Sequence, residues 1–166
     1  MPDFQHNIAK GRGTQWVDEI RQTSGFSNAG YVNSGLIVSL WRRGTDTDDI
    51  LNNHDDIAAM EAAAQPAELT SGVNANYARK TIVDTTPTVT IDDTNNWVDI
   101  DIPDQTWVAL GAGGTAITDL SIAFDPDTTA GTDSTLRPWT FHAFAVTPDG
   151  SDVTAQIATL GFFRLQ

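Results

Sequence analysis

Thr94-Asn95-Asn96-Trp97-Val98-Asp99-Ile100-Asp101-Ile102-Pro103-Asp104-Gln105-Thr106-Trp107 is the stretch that decides the fold class. Val98, Ile100 and Ile102 alternate with Asp99 and Asp101. Strand side chains change faces at every residue, so this spacing predicts a strand with one buried and one solvated face. Pro103 ends it, because proline has no N–H to give to a ladder. Asp92-Asp93-Thr94-Asn95-Asn96 reads as the turn leading in.

Working outward, the same pattern recurs. Residues 36–41 form a short apolar run that reads as a buried strand. Residues 77–83, 88–91 and 107–110 read as further strands, and Leu120, Ile122 and Phe124 alternate as another. Residues 138–147 carry apolar side chains on both faces, which predicts a central strand. Thr147-Pro148-Asp149-Gly150-Ser151 then makes a turn, with Pro148 presetting φ and Gly150 taking the left-handed position. Residues 153–157 are expected to return antiparallel, and residues 161–165 to form a terminal strand. Strands at this spacing predict a mainly β fold, an antiparallel sandwich or barrel.

One helix interrupts the strands. Thr45-Asp46-Thr47-Asp48-Asp49 supplies a cap and acidic residues for the first turn, where the helix dipole favours them. Ile50, Leu51, His54, Ile57, Ala58 and Glu61 follow at helical spacing, and Pro66 stops the run. The expected helix covers about residues 48–64.

Residues 1–30 show neither helical nor strand period and are interrupted by Gly11, Gly13, Gly25 and Gly30, and the segment they open extends to residue 34. They read as an extended N-terminal arm, packed on its own domain or ordered by a partner, ahead of a single β-rich domain over 35–166. Phe4, Arg12, Trp16, Ile20, Arg21 and Phe26 are the candidate partner-binding residues of this arm.

Composition narrows the function. The chain has 166 residues and a formal charge of −13, with almost all of its acidic groups aspartate. Such a surface does not neutralise phosphates, so nucleic acid is not an expected partner, and anionic membranes repel it. Aspartate favours turns and caps, in keeping with a β-rich chain. With no cysteine, disulfides, thiolate metal sites and cysteine nucleophiles are excluded. No apolar run approaches a membrane span. Residues 1–6 lack the basic and apolar regions of a signal peptide, which predicts a soluble chain used without secretion.

Candidate chemistry is sparse. Asp125-Pro126-Asp127-Thr128-Thr129-Ala130-Gly131-Thr132-Asp133 gathers oxygen atoms, but its late glycine and missing distal glutamate depart from a calcium loop. It reads as a polar loop rich in Asx turns, with no metal bound. Asp99 and Asp101 share a strand face about 7 Å apart, a spacing compatible with glycoside hydrolysis but expected of any solvated face. His6, His54 and His142 have no metal-ligand spacing. His54 reads as a half-exposed surface residue and His142 as a satisfied core histidine. The sequence holds no nucleophile elbow, phosphate loop or dinucleotide fingerprint, and Lys10-Gly11-Arg12-Gly13 is too short for a phosphate cradle. No catalytic residue, cofactor or metal is expected.

Several phrases together carry a resemblance. They are Asn33-Ser34-Gly35-Leu36-Ile37-Val38, Asn76-Tyr77-Ala78-Arg79-Lys80-Thr81, Asp92-Asp93-Thr94-Asn95, Asp104-Gln105-Thr106-Trp107, residues 124–133, Pro148-Asp149-Gly150-Ser151-Asp152 and Gly161-Phe162-Phe163-Arg164. From about Asn33 onward the chain resembles a family of small structural proteins encoded among the virion genes of tailed bacteriophages. The resemblance implies a virion component and brings no catalytic residues. It implies a head decoration or cement protein on the capsid surface, present in the host cytoplasm during assembly. The implied partners are the major capsid protein and further copies of the chain in a homo-oligomer. A tail or baseplate component is the alternative, and a carbohydrate-binding module using an exposed Trp97 or Trp107 a more distant one.

Overall fold

An antiparallel six-stranded sheet organises the chain. The computed structural model describes residues 4–21, 33–62, 66–83, 86–113, 116–158 and 161–165. In chain order the elements are β1 (Phe4–Gln5), α1 (Gly13–Arg21), β2 (Gly35–Arg42), α2 (Asp48–Leu51), α3 (Ile57–Ala62), β3 (Ala67–Glu68) and β4 (Lys80–Val83). They continue with β5 (Thr88–Asp92), β6 (Trp97–Asp101), β7 (Gln105–Trp107), β8 (Ile117–Asp125), β9 (Arg137–Val146), β10 (Val153–Ala155) and β11 (Phe163–Leu165). The main sheet runs β1-β9-β8-β2-β3, with β4 on the same flank of β2 as β3. Two small sheets, β11-β6-β5 and β10-β7, complete a mainly β fold.

The central strands β2 and β8 of the main sheet are buried on both faces, so each face needs its own cover. Leu36, Val38 and Leu40 of β2 and Leu120, Ile122 and Phe124 of β8 point into the larger core. That core is closed by α1, by Ile100 and Phe163 of the three-stranded sheet, and by Trp107 and Val153 of the two-stranded one. On the opposite face Ile37, Trp41, Ala123 and Phe141 meet Leu51, Ile57 and Met60 of the two short helices. Trp139 and Phe141 serve different faces although only one residue lies between them. A register shift in the β8–β9 ladder between Ile122 and Ala123 accounts for this, since an extra residue in β9 reverses the alternation.

Four expectations are corrected. The helix over 48–64 is two helices, α2 and α3, and residues 63–65 lie outside the described ones. The break falls at Asn52-Asn53-His54-Asp55-Asp56, where side chains compete with the helical ladder. Asn53 Nδ2 donates to the Asp49 carbonyl, and Asp56 Oδ1 accepts the Ala59 N–H at 2.8 Å to restart the helix. Thr47 occupies the cap position of α2 without a side-chain hydrogen bond.

Residues 4–21 pack on their own domain, one of the two alternatives expected, but not as an extended arm; residues 22–32 lie outside the described ones. β1 pairs with β9, and α1 buries Trp16, Val17 and Ile20. Trp16 stacks on Phe124 at 5.1 Å and meets Trp139 edge-on at 5.3 Å. Gly13 is required by this packing, because a Cβ there would lie 2.9 Å from the rings of Phe163 and Trp139.

The turn after β9 does not make a hairpin. Gly150 has the expected positive φ of 95°. However, its N–H donates to the Leu110 carbonyl and Leu110 N–H to the Ser151 carbonyl, both at 3.0 Å. The turn is thereby docked on residues 108–110, and β10 pairs with β7 instead of β9.

Finally, Asp99 is not on a solvated face. It is 7% exposed and held by Arg164.

Candidate functional site

Three arginines gather carboxylates from distant parts of the chain, Asp99 and Asp133 of the sequence candidates among them. Arg43, just after β2, is buried with its guanidinium on Asp119 at 2.9 Å and also on Asp48. Its backbone N–H donates to Thr118 Oγ1 at 2.6 Å, and that hydroxyl donates to Asp119 Oδ2 at 2.6 Å. The guanidinium also lies over the rings of Phe4 and Phe141, at 5.6 and 5.4 Å. A buried charge without such partners is costly, so this cluster binds the end of the main sheet to α2.

Arg79 is the second hub. It grips Glu68 with Nε and Nη2, the latter at 2.5 Å, and reaches Asp133, with Glu61 at 3.6 Å. Tyr77 donates to Glu68 Oε1 at 2.6 Å. Burial, then the charges of Asp133 and Glu68, hold the Glu61 carboxyl above the usual range. Burial alone would lower the Arg79 guanidinium, but its hydrogen bonds to Glu68 and Asp133 outweigh that and raise it.

The loop over 125–133 spends its aspartates separately. Asp125 is buried and accepts the Asp127 N–H at 3.0 Å, while Asp127 Oδ1 accepts both the N–H and the hydroxyl of Thr129. Asp133 belongs to Arg79. These are the Asx turns expected of the loop. Among the described residues no group of three or more His, Asp or Glu side chains is placed to hold a metal ion. No described helix is long and apolar enough to cross a membrane.

Arg164 is the third hub and stands at the surface. Its Nε and Nη2 donate to the two Asp99 oxygens at 2.6 and 2.9 Å, and its guanidinium lies 3.8 Å from the Trp97 ring centre. Register explains the arrangement: Arg164 sits opposite Asp99, and Asp99 opposite Thr90. The adjacent row aligns Leu165, Val98 and Ile91. This row has the same parity as the buried Ile100; Leu165 at one side packs against the larger core, while Ile91 at the other stands on the edge strand. Ile91 is therefore 69% exposed, the most exposed of the large hydrophobic side chains described. Ile91, Val98, Leu165 and Trp97 line a shallow groove of about 240 Å³ at the hairpin end.

The residues expected to bind a partner do not share a surface. Trp16 and Ile20 are committed to the larger core. Phe4 packs on the other face of the sheet, stacked on Phe141 at 5.7 Å. Arg12 is exposed just before α1 and Arg21 is exposed at its last position, while Phe26 lies outside the described residues. Trp107 is 1% exposed and donates its Nε1 proton to the Ala78 carbonyl, so it offers no platform for a sugar. Trp97 is half-buried and carries Arg164 on its ring.

The histidines fall as follows. His54 is half-exposed, as expected, and His142 is half-buried beside Thr140 Oγ1 at 2.8 Å. His6 is fully buried near His54 and the Phe141 ring. Burial, followed by the proximity of His54, lowers the His6 pKa to about 3. The Leu51 backbone partly opposes the shift, but neither ring nitrogen forms a hydrogen bond of good geometry with a described residue. Sequence reasoning passed over this residue and over Ile91, because burial of the first and exposure of the second depend on neighbours distant in the chain.

Compared with known proteins, the chain matches no family model, no curated protein and no solved structure.

Proposed function

We propose that the chain is a non-enzymatic structural component of a tailed-phage virion, bound to the outer head shell as a decoration or cement protein. The observation that carries this reading is the contrast between its polar and apolar groups. The described carboxylates at Arg43, Arg79 and Arg164 are closed by those arginines, whereas Ile91 stands out at a sheet end. A binding protein needs such an apolar surface and a rigid module behind it, and no converging catalytic set. A charge of −13 keeps free subunits apart before assembly. The sequence resemblance points the same way.

Co-sedimentation with heads lacking the protein tests the proposal. Saturable binding to heads, seen as added density on the outer shell in a particle reconstruction, is the expected result. Binding to isolated tails and not to heads transfers the protein to the tail. Absence from both particles ends the virion reading. A glycan array is expected to be silent, given the buried Trp107 and the Arg164-covered Trp97.

A further inference from the structure

We propose that the outer edge of β5 pairs with β5 of a second copy of the chain, antiparallel and centred on Thr90. The two three-stranded sheets then join into one. This rests on the reading of the chain as an assembling virion protein, and it names one partner of that assembly.

β5 lies at the end of the order β11-β6-β5, so among the described residues β6 is its only strand partner. An open strand edge presents unpaired N–H and C=O groups that template another strand. Natural edges are blunted by charge, proline, bulges or brevity. β5 uses little of this: its ladder with β6 is continuous over all five residues, and Asp92 at its end is its one charge. Pro87 precedes the strand without interrupting it, and Thr88, Thr90 and Ile91 are exposed.

The sequence Thr88-Val89-Thr90-Ile91-Asp92 fits itself. With a two-fold axis at Thr90, Val89 lies opposite Ile91 of the second copy, and Ile91 opposite its Val89. Thr88 lies opposite Asp92, and no two charges face each other. Val89 and Ile91 share the face that carries Ile100 and Val98, so pairing covers the exposed Ile91 with a β-branched neighbour. A slip of register by one residue, which moves the axis by half a residue, sets Val89 or Ile91 opposite Thr90 and loses the apolar pairs; centring on Val89 or Ile91 instead keeps one apolar pair where the Thr90 axis makes two. A second copy is thus a better occupant than a strand of arbitrary sequence.

Five paired residues fall short of the roughly 1,200 Å² of a standard stable interface. With like charge on both copies, the free dimer is weak, concentration-dependent and strengthened by salt. On a shell, attachment of both copies raises their effective concentration and completes the pairing.

The chain has no cysteine, so a single introduced thiol reports its own neighbours. Thr90→Cys places two thiols across the axis, within the Cα separation that a disulfide accepts. Mild oxidation of the full chain is expected to give a covalent dimer at least about tenfold faster than for Val73→Cys, an exposed control on a turn. Thr90→Lys sets two ammonium groups face to face. It is expected to weaken dimerisation in sedimentation velocity by roughly tenfold while leaving the circular dichroism spectrum unchanged.

Equal crosslinking of the Thr90→Cys and Val73→Cys variants overturns the pairing, as does dimerisation that Thr90→Lys leaves untouched. If the wild type binds heads but the Thr90→Cys variant does not crosslink, self-pairing is wrong and the decoration reading stands. If the Thr90→Cys variant crosslinks and no particle is bound, self-pairing stands and the virion reading falls. A monomer that loses head binding on Thr90→Lys shows that the edge takes a shell strand, which also overturns the proposal.

Discussion

α1 and the β5–β6 hairpin each present aliphatic and aromatic side chains from a short element, yet they end in opposite places. α1 buries Trp16, Val17 and Ile20 against Phe124 and Trp139. The hairpin buries Ile100 but leaves Ile91 exposed and Trp97 half covered by Arg164. The difference lies in what stands opposite. α1 faces an apolar sheet surface that it covers, whereas the hairpin's edge strand carries Ile91 into solvent. Apolar surface is buried when a partner surface exists, and the exposed edge is the part left for another molecule.

The sharpest way to break this comparison is to treat α1 as dispensable. Deleting residues 1–21 is expected to abolish cooperative folding, because it removes an edge strand and one wall of the larger core. Trp16→Ala, a milder probe, is expected to cost about 3–5 kcal/mol in urea unfolding. A truncated protein with a sharp thermal transition would show that the segment is an appendage after all.

The Arg43 cluster offers the next effect. Asp119→Ala removes one of the carboxylates, Asp119 and Asp48, that hold the buried Arg43 guanidinium. The expected loss is about 3 kcal/mol, since removing one partner of a buried pair exposes the desolvation cost of the other. Equal stability of variant and wild type in denaturant titration would mean that water reaches the guanidinium.

A smaller effect follows from His6. Its folded pKa of about 3 lies below its unfolded value near 6.5, so the unfolded chain binds more protons between those values. Its contribution to stability is complete above pH 6.5 and is lost progressively as pH falls toward 3. His6→Phe is expected to flatten the decline in melting temperature between pH 7 and about 4.5, relative to wild type. Parallel profiles would assign the acid sensitivity to the carboxylates.

The smallest effect on folding belongs to the exposed edge. Ile91→Lys is expected to change stability by no more than about 0.5 kcal/mol, as for most exposed positions. It is expected to weaken self-association and head binding. A large loss of stability would mean that Ile91 belongs to the core.

Legibility followed the range of the interactions. The alternation of Val98, Ile100 and Ile102 was readable, and β6 lies where it predicts. So were the apolar run that became β2 and the left-handed Gly150. The break between α2 and α3 was present in Asn52-Asn53 but was outweighed by the helical spacing around it. α1 was obscured by Gly13, whose purpose is contact with Phe163 and Trp139 far along the chain. The hubs at Arg43 and Arg79 had no local signal, because Asp119 lies 76 residues from Arg43 and Asp133 lies 54 from Arg79.

By itself, then, the amino-acid order determined the class of fold, the identity of most strands and the absence of thiol chemistry. These rest on side-chain alternation, turn residues and composition, which act within a few positions. Tertiary structure alone decided which aspartates are buried, that β10 joins β7, and that the first helix is core while Ile91 is surface. Burial and ion pairing depend on what arrives from elsewhere in the chain, and local pattern carries no record of that arrival.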